Sequence, residues 1–191
     1  MFSKTITIVL FVILAIAQLF IPSNMILERE DILKTGKAFK FRTEPVDPYD
    51  ALRGRYIYLY FSEEFTNLKL DTADGWQPGD EVYISLGTDP DGYVTLDEGY
   101  KDAPEGKDYL HTTLQWYYDY ENMWTVDIPF NRFYMEESIA YEAELAYRDS
   151  NMDTTSVSYA LVMIKDGEAV LKNVFIDDKP ISEVARERIN Q

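Results

Sequence analysis

Ser156-Val157-Ser158-Tyr159-Ala160-Leu161-Val162-Met163-Ile164-Lys165-Asp166-Gly167-Glu168-Ala169-Val170-Leu171-Lys172-Asn173-Val174-Phe175-Ile176 is the stretch that decides the fold. Two apolar, β-branched runs flank Asp166-Gly167, a pair that accepts positive φ at both positions. Such a turn has the twist that two paired strands need, so the stretch reads as a tight antiparallel hairpin. Outward from it the same grammar recurs. Turn signals at Asp74-Gly75, Pro78-Gly79, Asp91-Gly92 and Pro104-Glu105-Gly106 punctuate short segments rich in Tyr, Val, Ile and Thr. Strands are expected over residues 38–43, 55–61, 81–86, 93–96, 110–118, 124–128, 156–165 and 169–176. Helical spacing is confined to residues 136–148, where Ile139, Ala143, Ala146 and Tyr147 share a face, and to residues 182–189. The expected fold is mainly β, built of antiparallel sheets in a sandwich or open-barrel-like arrangement, with one or two short helices.

A single N-terminal transmembrane helix is expected to precede that domain. From Ile6 to Ile21 the only polar residues are Thr7 and Gln18, and the apolar run resumes with Met25-Ile26-Leu27 after Pro22-Ser23-Asn24. As a helix, residues 5–27 would reach roughly 34 Å, enough to cross a bilayer with some tilt. Residues 1–27 therefore read as a signal anchor and residues 28–191 as the domain it carries. A cleaved signal peptide ending at Ala15-Ile16-Ala17 is the competing reading, disfavoured because apolar residues continue past that site. Arg29, Lys34, Lys37 and Lys40 after the span argue against export, while Glu28, Glu30 and Asp31 at its exit and its position near the N-terminus argue for it. The C-terminal domain is expected outside the cytoplasm.

The chain of 191 residues carries 34 acidic and 18 basic side chains, a formal net charge of −16. A phosphate backbone would be repelled, so no nucleic acid is expected as a partner. With 0 Cys and one His, His111, the chain has no thiolate nucleophile, disulfide framework or two-histidine metal motif. No cofactor, no metal and no catalytic residue is expected. The acids concentrate beyond residue 55, where ten basic face 28 acidic side chains.

Val46-Asp47-Pro48-Tyr49-Asp50-Ala51-Leu52-Arg53-Gly54-Arg55-Tyr56-Ile57-Tyr58-Leu59-Tyr60-Phe61 resembles the signature of the GDYXXLXY protein family, in which an Asp-Pro-x-Asp-x-x-Arg run leads into Gly-Asp-Tyr-x-x-Leu-x-Tyr. Gly54, Tyr56 and Leu59 match, whereas Arg55 stands in place of Asp and Phe61 in place of Tyr. Gly79-Asp80-Glu81-Val82-Tyr83-Ile84-Ser85-Leu86 is similar to a second Gly-Asp strand entry of the family. Arg132-Phe133-Tyr134-Met135 with Glu137 resembles its Glu-Arg-Tyr-Phe-x-Pro-Glu region, with Asn131 and Glu136 as departures. The resemblance marks Asp47, Pro48, Asp50, Arg53, Gly54, Tyr56, Leu59, Arg132, Tyr134 and Glu137 as motif residues. It implies a membrane-anchored bacterial protein of uncharacterised activity, of a kind frequently encoded beside a polytopic membrane protein.

In a strand, Tyr56, Tyr58 and Tyr60 project to one face and Ile57, Leu59 and Phe61 to the other. Both faces are apolar enough to be covered, so a central strand is the first expectation; the alternative is a Tyr face open for stacking or partner contact. Trp116 and Tyr118 share a face in the same way, with Tyr117, Tyr120 and Trp124 nearby, and core packing is again the first expectation. Asp89-Pro90-Asp91-Gly92 with Asp97 and Glu98 has the acids of a calcium loop without EF-hand spacing, and reads as an acidic hairpin loop. Arg53, Arg55 and Arg132 are scarce cations suited to carboxylate pairing, with Asp47, Asp50 or Glu137 as the natural partners. His111 reads as structural.

The functional expectation is an accessory or interaction subunit of a polytopic membrane protein in the bacterial inner (cytoplasmic) membrane. Its candidate contact surface is Arg53, Arg55, Tyr56, Tyr58, Tyr60, Trp116 and Tyr118. The alternative is an envelope glycan-binding module that uses the aromatic strand faces. An enzyme ranks last.

Overall fold

The structure, a computed structural model, describes residues 4–44, 56–66, 68–71, 75–118, 120, 123–152 and 156–190. Asp47, Pro48, Asp50, Arg53, Gly54 and Arg55 lie outside the described residues. The decisive hairpin is present: β9 (Ser158–Lys165) and β10 (Glu168–Ile176) pair antiparallel, and Asp166 and Gly167 turn between them with φ of 50° and 83°. Gly167 is required twice over, because a Cβ there would also lie 2.5 Å from the Tyr109 ring. β9 is buried on both faces along most of its length, and Ala160, Val162 and Val174 of the hairpin reach full burial at 0% exposure.

The hairpin is the centre of a four-stranded antiparallel sheet in the order β1 (Lys37–Arg42), β9, β10, β11 (Lys179–Pro180). A five-stranded antiparallel sheet runs β3 (Phe65–Thr66), β7 (Met123–Val126), β6 (Tyr109–Tyr118), β4 (Glu81–Thr88), β5 (Val94–Tyr100). β2 (Tyr56–Tyr58) and β8 (Arg132–Tyr134) form a two-stranded ribbon. Bridges from Thr43 to Phe61 and from Leu110 to Gly167 tie these pieces together. One hydrophobic core results, containing Phe41, Ile57, Leu59, Phe61, Val82, Ile84, Leu114, Ile128, Phe130 and Val162 among others. Its aromatic centre is a triad: Phe41 meets Phe130 edge-on at 4.9 Å and Phe61 meets Phe130 at 5.4 Å.

α1 (Lys4–Thr35) is followed after Gly36 by β1 without a loop, and α2 (Glu137–Met152) and α3 (Ile181–Ile189) pack together on the core. Ile139, Ala143, Ala146 and Tyr147 of α2 are buried, as their helical spacing requires. The helix α1 does not stop at the first acid after the apolar run. Glu30 pairs with Lys34 one turn on at 3.0 Å, which favours continued helix, and the last turns dock on the hairpin. There Ile32 is buried, Arg29 Nη1 donates to the Ala169 carbonyl at 2.9 Å, and Lys165 Nζ meets Asp31 at 2.6 Å and Thr35 Oγ1 at 3.0 Å. Upstream of those turns the large apolar side chains of α1 with described exposure, from Ile6 to Leu27, lie open. Among the described residues α1 is the one helix long and apolar enough to cross a membrane.

Candidate contact surface

β2 and the residues that follow it through Phe61 sort their side chains as alternation dictates, but one face only is covered. Ile57, Leu59 and Phe61 are 3%, 0% and 1% exposed, while Tyr58 and Tyr60 stand open at 38% and 41%. The expectation of a strand covered on both faces is therefore corrected: β2 belongs to a two-stranded ribbon whose inner side closes the core. Tyr58 and Tyr60 lie with ring centroids 4.8 Å apart, and Asn131 Nδ2 donates to the Tyr58 hydroxyl at 3.1 Å. The Leu59 N–H donates to the Asn131 carbonyl at 2.9 Å, so Asn131 fixes both the strand and the ring beside it. On the same ribbon Tyr56 faces Tyr134 at 5.4 Å, and the Arg132 guanidinium lies 5.6 Å from the Tyr56 ring.

Trp116 and Tyr118 reach the same surface from β6. Their expected place in the core is also corrected: Trp116 is 66% and Tyr118 47% exposed. The cause is a bulge. Pairing with β7 shifts register between Leu114 and Trp116, so the inward alternation of Leu110, Thr112 and Leu114 ends there, and residues 115–118 all lie open. The Trp116 N–H donates to Thr125 Oγ1 at 2.9 Å, which holds the bulged turn in place. Tyr117 packs on Trp124 at 4.9 Å.

Tyr58, Trp116 and Tyr118 line a shallow cleft of about 240 Å³ with Gln115, Glu64, Asp127 and Asn131. Partial burial pushes the Glu64 carboxyl above the usual carboxylate range, reinforced by the charges of Glu44 and Asp127. Burial likewise raises the Tyr58 phenol, and Glu64 adds to the effect. The cleft thus combines aromatic faces, amides and carboxylates. It contains no His, and His111 lies elsewhere, stacked on Tyr83 at 4.4 Å.

Of the motif and contact residues read from sequence, Tyr56, Tyr58, Tyr60, Trp116, Tyr118, Arg132 and Tyr134 come to one side of the molecule, whereas Leu59 is core. Glu137 opens α2, where its charge suits the helix N-terminus. No ion pair joins it to Arg132 among the described residues, so the expected pairing of those two is replaced by the contact of Arg132 with Tyr56. The acidic loop is charge-paired: Arg42 Nη2 lies 3.1 Å from both Asp89 and Asp91, and Asp89 Oδ1 accepts the N–H groups of Asp91 and Tyr93. Sequence reading missed Glu64, Gln115 and Asp127, which carry no motif, and met Asn131 only as a departure from the family pattern; the fold gathers all four.

A protein-family profile described as GDYXXLXY protein matches residues 18–174. No curated protein and no solved structure matches the chain.

Proposed function

The chain belongs to the GDYXXLXY protein family, and we propose that it works by contact, as an accessory subunit of a polytopic membrane protein in the bacterial inner membrane. In this reading α1 is an uncleaved anchor, the β domain lies on the extracytoplasmic side, and no catalysis is assigned to it. The observation that carries the reading is the band of open rings at Tyr58, Tyr60, Trp116, Tyr118 and Tyr134. Tyr, Trp and Arg are the residues that concentrate binding energy in protein interfaces, and large contiguous exposed rings are uncommon on surfaces without a partner. Arg132 beside Tyr56 adds the third residue type to the same patch.

A glycan is the second reading, favoured by the carboxylates and amides beside Trp116 and Tyr118 in the cleft. Against it, the Tyr58 and Tyr60 rings are tilted by 54° and offer no flat platform for a sugar face. Solubilisation in a mild detergent, followed by quantitation of whatever co-purifies, tests the choice with Tyr60→Ala and Trp116→Ala. Loss of a membrane-protein companion from folded variants supports the subunit reading. A companion retained by both variants refutes the aromatic contact, and Trp fluorescence quenching by envelope oligosaccharides, lost in Trp116→Ala, moves the assignment to a glycan.

A further inference from the structure

Pro22 lies inside α1. Proline has no N–H, so the carbonyl of Gln18, four residues earlier, lacks the donor that an interior helical carbonyl ordinarily has. Ser23 answers the neighbouring carbonyl, its Oγ donating to Leu19 at 2.7 Å. The Gln18 side chain is itself exposed. One helical step therefore presents a freed main-chain carbonyl together with an amide that both donates and accepts. If residues 6–27 form the span, Gln18 sits within about 3 Å of its midplane, where water cannot satisfy these groups.

The helical phase shows where that step points. At about 100° per residue, Leu14, Gln18, Met25, Arg29 and Ile32 fall within about 40° of one line along the helix. The C-terminal end of this stripe is already an interface, since Arg29 bonds the Ala169 carbonyl and Ile32 is buried against the domain. The β domain is thus hung on the same side of α1 as Gln18.

Resting on the anchor reading above, we infer that this stripe continues as a contact surface into the membrane, and that the Gln18–Pro22 step receives a transmembrane helix of another membrane protein. That helix carries a hydrogen-bonding side chain near the midplane, to which the Gln18 amide and freed carbonyl pair. A second copy fits the stripe badly. Parallel helices packed about 8–10 Å apart through this face would drive the 28–35 segment of each through the space held by the other's β9–β10 hairpin. A multi-span protein with short loops lies beneath the domain without that collision.

The test places a fluorinated phenylalanine at Leu14, Met25, Ile16 or Leu27 of the full chain and reads oxygen-induced fluorine relaxation, a measure of lipid exposure. It is read in discs cut directly from native membranes, and in vesicles holding the purified protein alone. The expected result is oxygen exposure at least halved at 14 and 25 relative to 16 and 27 in native discs. Gln18→Leu abolishes the difference, Gln18→Asn keeps it, and pure vesicles lack it. The same shielding in pure vesicles assigns the stripe to a second copy and overturns the proposal. Equal exposure at all four positions in native discs overturns the intramembrane contact while leaving the anchor intact. A chain whose mass shows a new N-terminus at Gln18 removes the anchor, and the contact with it.

Discussion

Alternate residues of the short segment that runs on from β2, Tyr58 to Phe61, are expected to separate stability from contact. Leu59 and Phe61 are 0% and 1% exposed, and Tyr58 and Tyr60 next to them are more than a third open. Leu59→Ala deletes a fully buried side chain and should cost about 2–5 kcal/mol. Phe61→Ala should cost about 3–5 kcal/mol, and it also breaks the edge-on contacts with Phe41 at 6.0 Å and Phe130 at 5.4 Å. Tyr60→Ala loses one ring contact, with Tyr58 at 4.8 Å, from a solvated face, and should cost no more than about 1 kcal/mol. Denaturant unfolding of the full chain in detergent, followed by far-ultraviolet circular dichroism, gives the three differences from the parent, and companion retention is measured on the same preparations. The expected pattern is that Tyr60→Ala keeps stability and loses the companion, whereas Leu59→Ala and Phe61→Ala lose stability. Tyr60→Ala as destabilising as Leu59→Ala would show that the ring is packed in the folded state, and would refute the open-face geometry.

Gly36 joins α1 to β1, and a Cβ there would fall 2.6 Å from the Ile32 carbonyl oxygen, a backbone atom that cannot swing aside. Gly36→Ala should destabilise by about 1–3 kcal/mol, and limited proteolysis near residue 36 should speed up. Tyr159 is 5% exposed, and burial, with its bond to Asp178, pushes the phenol up to about 12. The unfolded chain gives up that proton near pH 10, so between pH 10 and 12 it holds fewer protons than the folded chain and stability should fall by about 2–3 kcal/mol. Tyr159→Phe should flatten that stretch of the stability–pH curve. Glu64 is raised by burial, so its charge opposes folding once pH exceeds the carboxylate range. Glu64→Gln should therefore melt higher than the parent at pH 7 and gain little at pH 3, and equal melting shifts at both values would contradict the burial.

The strands legible in the sequence were those with a period and a turn. Asp166-Gly167 fixed β9 and β10, and each of the other expected strand regions overlaps an observed strand. β3, β8 and β11 have two or three residues each, too few to show a period; β3 and β8 pair with distant chain, and β11 folds straight back on β10. Asp177 and Asp178 turn into β11 at φ of 49° and 61° without a glycine. They are held there because Asp177 accepts the Val157 N–H and Asp178 accepts the Tyr159 hydroxyl, each at 2.9 Å. Trp116 and Tyr118 stand open against the core packing first expected of them: strict alternation carries them inward, and a bulge leaves no mark in composition. The reach of α1 to Thr35 was missed because charged residues read as a boundary, whereas here they are the contacts that hold helix to domain.

That joint limits what a partner can look like. One residue separates α1 from β1, and Arg29, Asp31 and Ile32 are fixed on the hairpin, so the domain cannot swivel freely on its anchor. The open rings and the Gln18 stripe consequently keep a set relation to each other. From Lys37, where β1 leaves the helix, to Thr43, which bridges to Phe61 under the aromatic face, the strand runs about 20 Å. A membrane helix seated against Gln18 does not reach that far by itself. Both surfaces are engaged together only if the partner extends a loop or domain along the strand, or if a second ligand takes the rings. Disabling them one at a time separates the two cases. With a single extended partner, Gln18→Leu and Trp116→Ala weaken the same co-purification and their effects couple. With two ligands, each variant loses its own companion and leaves the other untouched.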